Sequence, residues 1–235
     1  MLAGVVSGSD FERARPTCQG ERADTQGARV SRVTVYVDGF NLYFGLRSKG
    51  WRKYYWLDLV RLSQALLKPG QEIEAIHYFT SRLLPNGYNS GDIDRQNTYL
   101  EALSTLPLVT LHFGLFLDNP QRCRRCGTAW MSYEEKMTDV NIAVRLLADA
   151  FENRFDTALL ISADSDLTTP VQQVLSRFPD KRVIVAQPPR RNSVSLCGAA
   201  SGYFTIGETK LRGAQMPSRV ERADGGVFTR TARWQ

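Results

Sequence analysis

From about residue 31 to residue 206, short apolar, β-branched runs alternate with amphipathic stretches. The runs at 32–37, 73–79, 108–114, 157–162 and 182–186 are apolar enough throughout to predict strands buried on both faces, with 203–206 as a sixth. Between them, helical spacing covers 40–48, 57–67, 92–106, 134–155 and 166–177. In the fourth helix Met137, Val140, Val144, Leu147 and Phe151 follow a 3, 4, 3, 4 spacing and predict one buried apolar stripe. Strands alternating with helices imply right-handed crossovers, hence an α/β fold with a mainly parallel sheet of five or six strands and helices on both faces. In such a sheet ligands bind at the carboxyl ends of the strands, near the point where strand order reverses. Residues 1–30 and 208–235 carry no sustained period and are expected to be flexible tails, the second of them basic.

A chain of 235 residues that is 43% hydrophobic and 23% charged is the size of one main domain. It has no apolar run near the roughly 18 residues needed for a transmembrane helix, and residues 1–10 lack the basic region of a secretory signal. A cytoplasmic protein is expected. The net charge of +6 favours polyanionic partners. Cys18, Cys123, Cys126 and Cys197 are too few and too scattered for a disulfide scaffold.

The chemistry lies in acids placed where strands end. Strand 32–37 stops at Asp38-Gly39-Phe40-Asn41, and strand 157–162 runs into Ala163-Asp164-Ser165-Asp166. Asp38 and Asp166 can each cap the helix that follows, but several carboxylates at one sheet edge repel one another unless a cation compensates. Asp139 opens the fourth helix beside its stripe, and Glu135 lies four residues earlier. The simpler account is that both acids complement the positive helix end, which explains Glu135 better than Asp139. Such a set of oxygens suits a hard divalent ion, and phosphodiester hydrolysis is the matching chemistry.

Val37-Asp38-Gly39-Phe40-Asn41-Leu42, Glu135-Lys136-Met137-Thr138-Asp139-Val140 and Ile161-Ser162-Ala163-Asp164-Ser165-Asp166-Leu167 resemble, in order and spacing, the three motifs of the NYN domain family, the LabA-like branch of the PIN-like nucleases. The resemblance implies a Rossmann-like domain over about 31–207 and an endoribonuclease dependent on Mg2+ or Mn2+. It also implies Asp38, Asp139, Asp164 and Asp166 as metal-holding catalytic acids, with Asn41 and Ser162 as polar helpers. Ala163 stands where such motifs often carry Gly and adds only a methyl group. The alternative is a non-catalytic module of the same fold that binds RNA or a protein partner.

Residues 47–56 interleave four cations, Arg47, Lys49, Arg52 and Lys53, with four aromatic residues. Cations neutralise phosphates and rings stack on unpaired bases, so the segment suits single-stranded RNA; equally, Trp56 and one tyrosine can anchor the core. Cys123 and Cys126 have knuckle spacing for Zn2+, which needs four ligands, so His112, Cys197 or a second chain would have to complete the site. A redox pair or two plain thiols are the other readings. His77 and His112 fall inside strands and are expected to be satisfied core residues. The expected partner is RNA, with no membrane, and a homodimer is compatible with these features.

Overall fold

The apolar runs become the central sheet. The computed structural model describes residues 30–85, 89–222 and 224–234, so the expected N-terminal tail lies, except for Val30, outside the described residues. In chain order the elements are β1 (Ser31–Asp38), α1 (Gly39–Ser48), α2 (Leu59–Leu66), β2 (Gln71–Thr80), α3 (Ser90–Ser104), β3 (Val109–Phe113), β4 (Leu115–Arg122), β5 (Ala129–Lys136), α4 (Thr138–Phe151), β6 (Thr157–Ile161), α5 (Thr168–Arg177), β7 (Arg182–Gln187), α6 (Val194–Ala199), β8 (Gly202–Thr205), α7 (Glu208–Gly213), β9 (Arg219–Glu221) and β10 (Val227–Thr229).

The six predicted strands form one sheet in the order β3-β2-β1-β6-β7-β8, every neighbouring pair parallel. Crossovers run outward from β1 on one side and from β6 on the other. The switch point therefore lies between β1 and β6, the place where this topology opens a crevice. Alternation along β1 divides the core. Val33, Val35 and Val37 pack with Leu42 and Leu46 of α1, Leu59 and Leu62 of α2, and Leu100 and Leu103 of α3. Tyr36 and Phe79 pack on the other face with Ile142 and Leu146 of α4 and Val171 and Val174 of α5.

Three expectations need correction. Helix α4 begins at Thr138, because 134–136 belong to β5 and Met137 turns the chain with φ 78°. Its predicted stripe faces outward, with Val144 60% and Phe151 64% exposed, while Thr138, Ile142, Leu146, Asp149 and Ala150 are buried. Apolar residues flank both sides of this helix, so periodicity alone names two faces and packing selects one.

Residues 115–136 carry a two-stranded antiparallel hairpin, β4 with β5, in register from Leu115↔Lys136 to Arg122↔Ala129. It hides from pattern reading because Pro120 interrupts it and Leu115, Leu117, Trp130 and Met131 are exposed. Lastly, 208–234 is no loose tail. Leu211, Ala214, Met216, Phe228 and Trp234 join the first core cluster, and the Trp56 indole donates to the Pro217 carbonyl at 2.7 Å.

His77 is a satisfied core residue, while His112 is only half-buried beside it, and both belong to a network the sequence did not announce. His77 Nδ1 lies 3.0 Å from His112 Nε2, and its Nε2 lies 3.4 Å from Asp149 Oδ2. The same Asp149 oxygen accepts from the Tyr36 hydroxyl at 2.8 Å and from Arg145 Nε at 3.0 Å. Arg145 Nη2 stands 2.9 Å from Asp149 Oδ1 but off the hydrogen-bond line. Burial and the neighbouring His77 push His112 down to about 4, so that near pH 7 its ring is neutral and the two imidazoles can share one hydrogen.

A candidate metal centre at the strand switch point

Asp38 is the last residue of β1 and the N-cap of α1, with its Oδ1 accepting from the Asn41 N–H at 2.9 Å. A carboxylate at the end of a central strand is ordinarily costly to bury, and two donors offset that cost: the second is Ser162, whose hydroxyl donates to Asp38 Oδ2 at 2.8 Å. β1 and β6 are paired up to Val37↔Ile161, which brings Ser162 level with Asp38. Gly39 allows the close approach here, because a Cβ would stand 2.6 Å from the Tyr78 ring and 2.7 Å from the Phe79 carbonyl.

Asp164 follows β6 and caps the short 3-10 turn Ser165–Leu167, accepting from the Asp166 N–H at 3.0 Å. Its own N–H donates to Ser162 Oγ at 3.0 Å, so one hydroxyl ties Asp38 to Asp164. Asp139 arrives from the first turn of α4. The spacing 139, 142, 146 continues the buried face of that helix, which is why Asp139 points inward although the apolar stripe lies on another face.

Gly114 makes room for this entry. A Cβ there would meet the Lys136 carbonyl at 2.5 Å and Thr138 Oγ1 at 2.9 Å.

Asp38, Asp139 and Asp164 each offer a carboxylate oxygen, all within 4.8 Å of one another. Asp166 is not part of that set. It stands exposed beside it, near enough to act on Asp139 through charge. Glu135 is nearby as well, with Oε1 accepting from the Ser81 hydroxyl at 3.1 Å and from the Thr138 hydroxyl. Among the described residues no lysine or arginine forms an ion pair with the three aspartates. Burial, reinforced by Asp139 and Asp164 and opposed by Asn41 and Ser162, pushes Asp38 up to about 7. Asp139 is pushed up to about 6 by burial and then by Asp164, Glu135 and Asp166. Converging carboxylate oxygens that resist sharing negative charge and have no cationic partner among the described residues fit a hard divalent cation.

The chain matches the NYN domain over residues 32–208. It belongs to the NYN domain family. The match covers all three acid-bearing segments of this NYN domain. A protein of Pseudomonas putida (strain DSM 28022 / S16) named 6-hydroxy-3-succinoylpyridine 3-monooxygenase HspA is 29% identical over 191 residues, 67% of this chain and 59% of that protein. The chain thus spans less than two thirds of that relative's length. A solved protein of unknown function from Vibrio parahaemolyticus RIMD 2210633 aligns with a TM-score of 0.48 and 20% identity, covering 81% of this chain and 99% of that one.

The polar helpers read from the motifs fall where the acids are. Asn41 is buried, with Oδ1 accepting from the Ala163 N–H at 3.2 Å and from Arg191 Nε at 3.3 Å. Arg191, in the loop after β7, reaches this site from a position that no motif or periodicity marks. The basic segment is divided. Trp56 and Tyr54 are core, Lys53 pairs with Glu208 at 3.4 Å, and Arg47, Lys49 and Arg52 are exposed without ion pairs among the described residues.

Cys123 and Cys126 lie in the 123–128 connection of the β4–β5 hairpin, and the Cys126 thiol is lowered to about 7 by Thr128 first and then Cys123. Neither expected completion of a zinc site is near them. His112 is stacked on Phe79 and joined to His77, and Cys197 accepts from Gln187 Nε2 at 2.9 Å in the core. Among the described residues no third ligand gathers around the pair. Cys18 lies outside the described residues.

The metal-free site has a measurable signature. Asp38 has its usual value of 3.8 raised to about 7, so between those pH values the folded state holds more protons than the unfolded state. Stability from this group therefore falls as pH rises through that window. In EDTA, Asp38→Asn is expected to be more stable than the parent at pH 8, on the order of 1 kcal/mol or more, since each tenfold change in proton affinity is worth about 1.4 kcal/mol. The difference should vanish near pH 4. Thermal melts at both pH values check this, and a pH-independent difference would sink it.

Proposed function

We propose that this NYN domain is a cytoplasmic metal-dependent endoribonuclease that hydrolyses RNA phosphodiester bonds. The observation that carries the reading is the convergence of Asp38, Asp139 and Asp164 from three separate elements, without a cationic partner among the described residues, at the switch point of a parallel sheet. Mg2+ or Mn2+ held there would supply positive charge for the phosphate and acidify the attacking water. Asp38 and Asp164 would hold the ion from the two strand ends and Asp139 from the start of α4, while exposed Asp166 orients water or a second ion. Ser162 and Asn41 are positioning residues: the serine hydroxyl locks both strand-end acids, and the asparagine oxygen holds Arg191 at the rim, where its guanidinium can meet a phosphate.

The test is cleavage of 5′-labelled single-stranded RNA by the full chain. Fragments that appear with Mn2+ or Mg2+ and disappear with EDTA support the reading. Intact RNA under all metals would point to the non-catalytic binding module, and oxygen uptake with 6-hydroxy-3-succinoylpyridine would point to the chemistry named for the Pseudomonas relative.

RNA contact by the basic segment has its own readout. Arg47→Ala and Arg52→Ala are each expected to lower the slope of log affinity against log salt by about 0.7, the counterion release of one single-strand phosphate contact. Lys53→Ala should lower it less, because Glu208 already holds that ammonium. Filter binding in a salt series measures the slopes, and equal slopes in all variants would return the segment to a structural role.

A further inference from the structure

A cavity of about 410 Å3 opens beside the acids, bounded by α1, the chain just after it, the end of β2, α3 and the C-terminal turn. Its size is that of a small-ligand pocket. Its walls are aromatic. The Tyr43 and Tyr55 ring centroids lie 5.0 Å apart, and Tyr55 meets Trp234 edge-on at 6.0 Å. Three arginines, Arg47, Arg52 and Arg233, also line it and make no ion pair among the described residues, whereas Arg95 is matched by Asp92. The cavity therefore joins ring faces to unbalanced positive charge. Gly39, the residue after Asp38, forms part of its wall, and so does Tyr78, whose ring closes on Gly39.

We propose that this cavity is a nucleotide subsite, holding one unpaired base against Tyr43 and Tyr55 and its phosphate against the arginines. It rests on the ribonuclease reading and deepens it, since a nucleotide seated next to Gly39 fixes which phosphodiester reaches Asp38. The subsite tolerates any base. The amide most able to read a base edge, that of Gln96, is already engaged at both ends, accepting from the Leu83 N–H at 2.8 Å and donating to the Ser81 carbonyl at 2.9 Å. Stacking on ring faces, with the Gln96 amide already engaged, is sequence-tolerant recognition.

The test is titration of the Asp164→Asn variant, in EDTA, with AMP, GMP, CMP and UMP, followed by calorimetry, with ribose 5-phosphate as the base-free probe. All four nucleotides are expected to saturate one site with affinities within about tenfold of one another, and ribose 5-phosphate to bind at least tenfold more weakly. Tyr43 is 38% exposed, so Tyr43→Ala should keep its melting temperature. On the same background it should lose about tenfold in nucleotide affinity without changing ribose 5-phosphate binding. Arg47→Ala with Arg52→Ala should weaken both ligands.

No saturable nucleotide binding, equal binding of ribose 5-phosphate, an unaffected Tyr43→Ala, or binding of 6-hydroxy-3-succinoylpyridine in place of nucleotides overturns the proposal. Cleavage of labelled RNA by the unsubstituted chain is scored separately. RNA cut without nucleotide binding removes the subsite and leaves the nuclease, and the converse result leaves the subsite and removes the nuclease.

Discussion

Asp38→Asn and Asp164→Asn are each expected to lose at least about 100-fold in metal-dependent RNA cleavage while staying folded. Changing a residue that merely supports a metal ligand typically costs 10- to 100-fold, so changing a ligand itself should cost no less. The amide keeps the shape of the carboxyl group and can still accept the capping hydrogen bonds from Asn41 and Asp166. What is removed is charge. Asp166→Asn is the informative contrast, because Asp166 is exposed and outside the set of oxygens within 4.8 Å. It should lose less than either of the other two. Single-turnover cleavage under saturating Mn2+ measures all three, and full activity in Asp38→Asn and Asp164→Asn would remove the carboxylate site from the mechanism.

Asp149→Ala is expected to be the most destabilising single change, by about 3–5 kcal/mol, because it strands buried partners that were built around its charge. Asp149 is 1% exposed and serves the Tyr36 hydroxyl, the Arg145 guanidinium and the His77 ring together. Burial alone would raise its pKa, but hydrogen bonds from His77, Tyr36 and Arg145 outweigh it and hold the carboxyl below its ordinary range. A depressed carboxyl stabilises the fold above the unfolded pKa and loses that contribution as pH falls through the folded value. The parent should therefore lose stability in acid over a window that Asp149→Ala lacks. Denaturant melts at pH 7 give the size of the effect, and thermal melts should show a drop of at least ~5 °C for a chain of this length. A loss under about 1 kcal/mol would mean that the network is not a stability element. This site lies on the α4 face of the sheet, so folded Asp149→Asn separates stability from cleavage.

What could be read from the chain depended on how many of an element's faces are buried. The six sheet strands were legible because central strands such as β1 and β6 are covered on both sides and must be apolar throughout. Their ends were legible because an acid after such a run stands out. Asp38, Asp139 and Asp164, with Asn41 and Ser162, follow from those motifs. Helix α4 was read with the wrong face inward, since residues that are apolar on two flanks satisfy the same period. Hairpin β4–β5 left no pattern because its apolar residues face outward. Trp234 and Leu211 looked like parts of a tail because their partners, Trp56 and the α2 face, lie more than 140 residues away in sequence.

The parallel α/β architecture, the family and the strand-end acids are written in local runs and short motifs. Folding in three dimensions sets which acids meet, that Asp164 and not Asp166 caps the turn, that Asp149 gathers a buried network, and that the C-terminal segment walls an aromatic cavity beside Asp38. Each of these is a contact between residues distant in the chain. Such contacts are set by the packing of whole elements against one another, and local pattern carries no record of them.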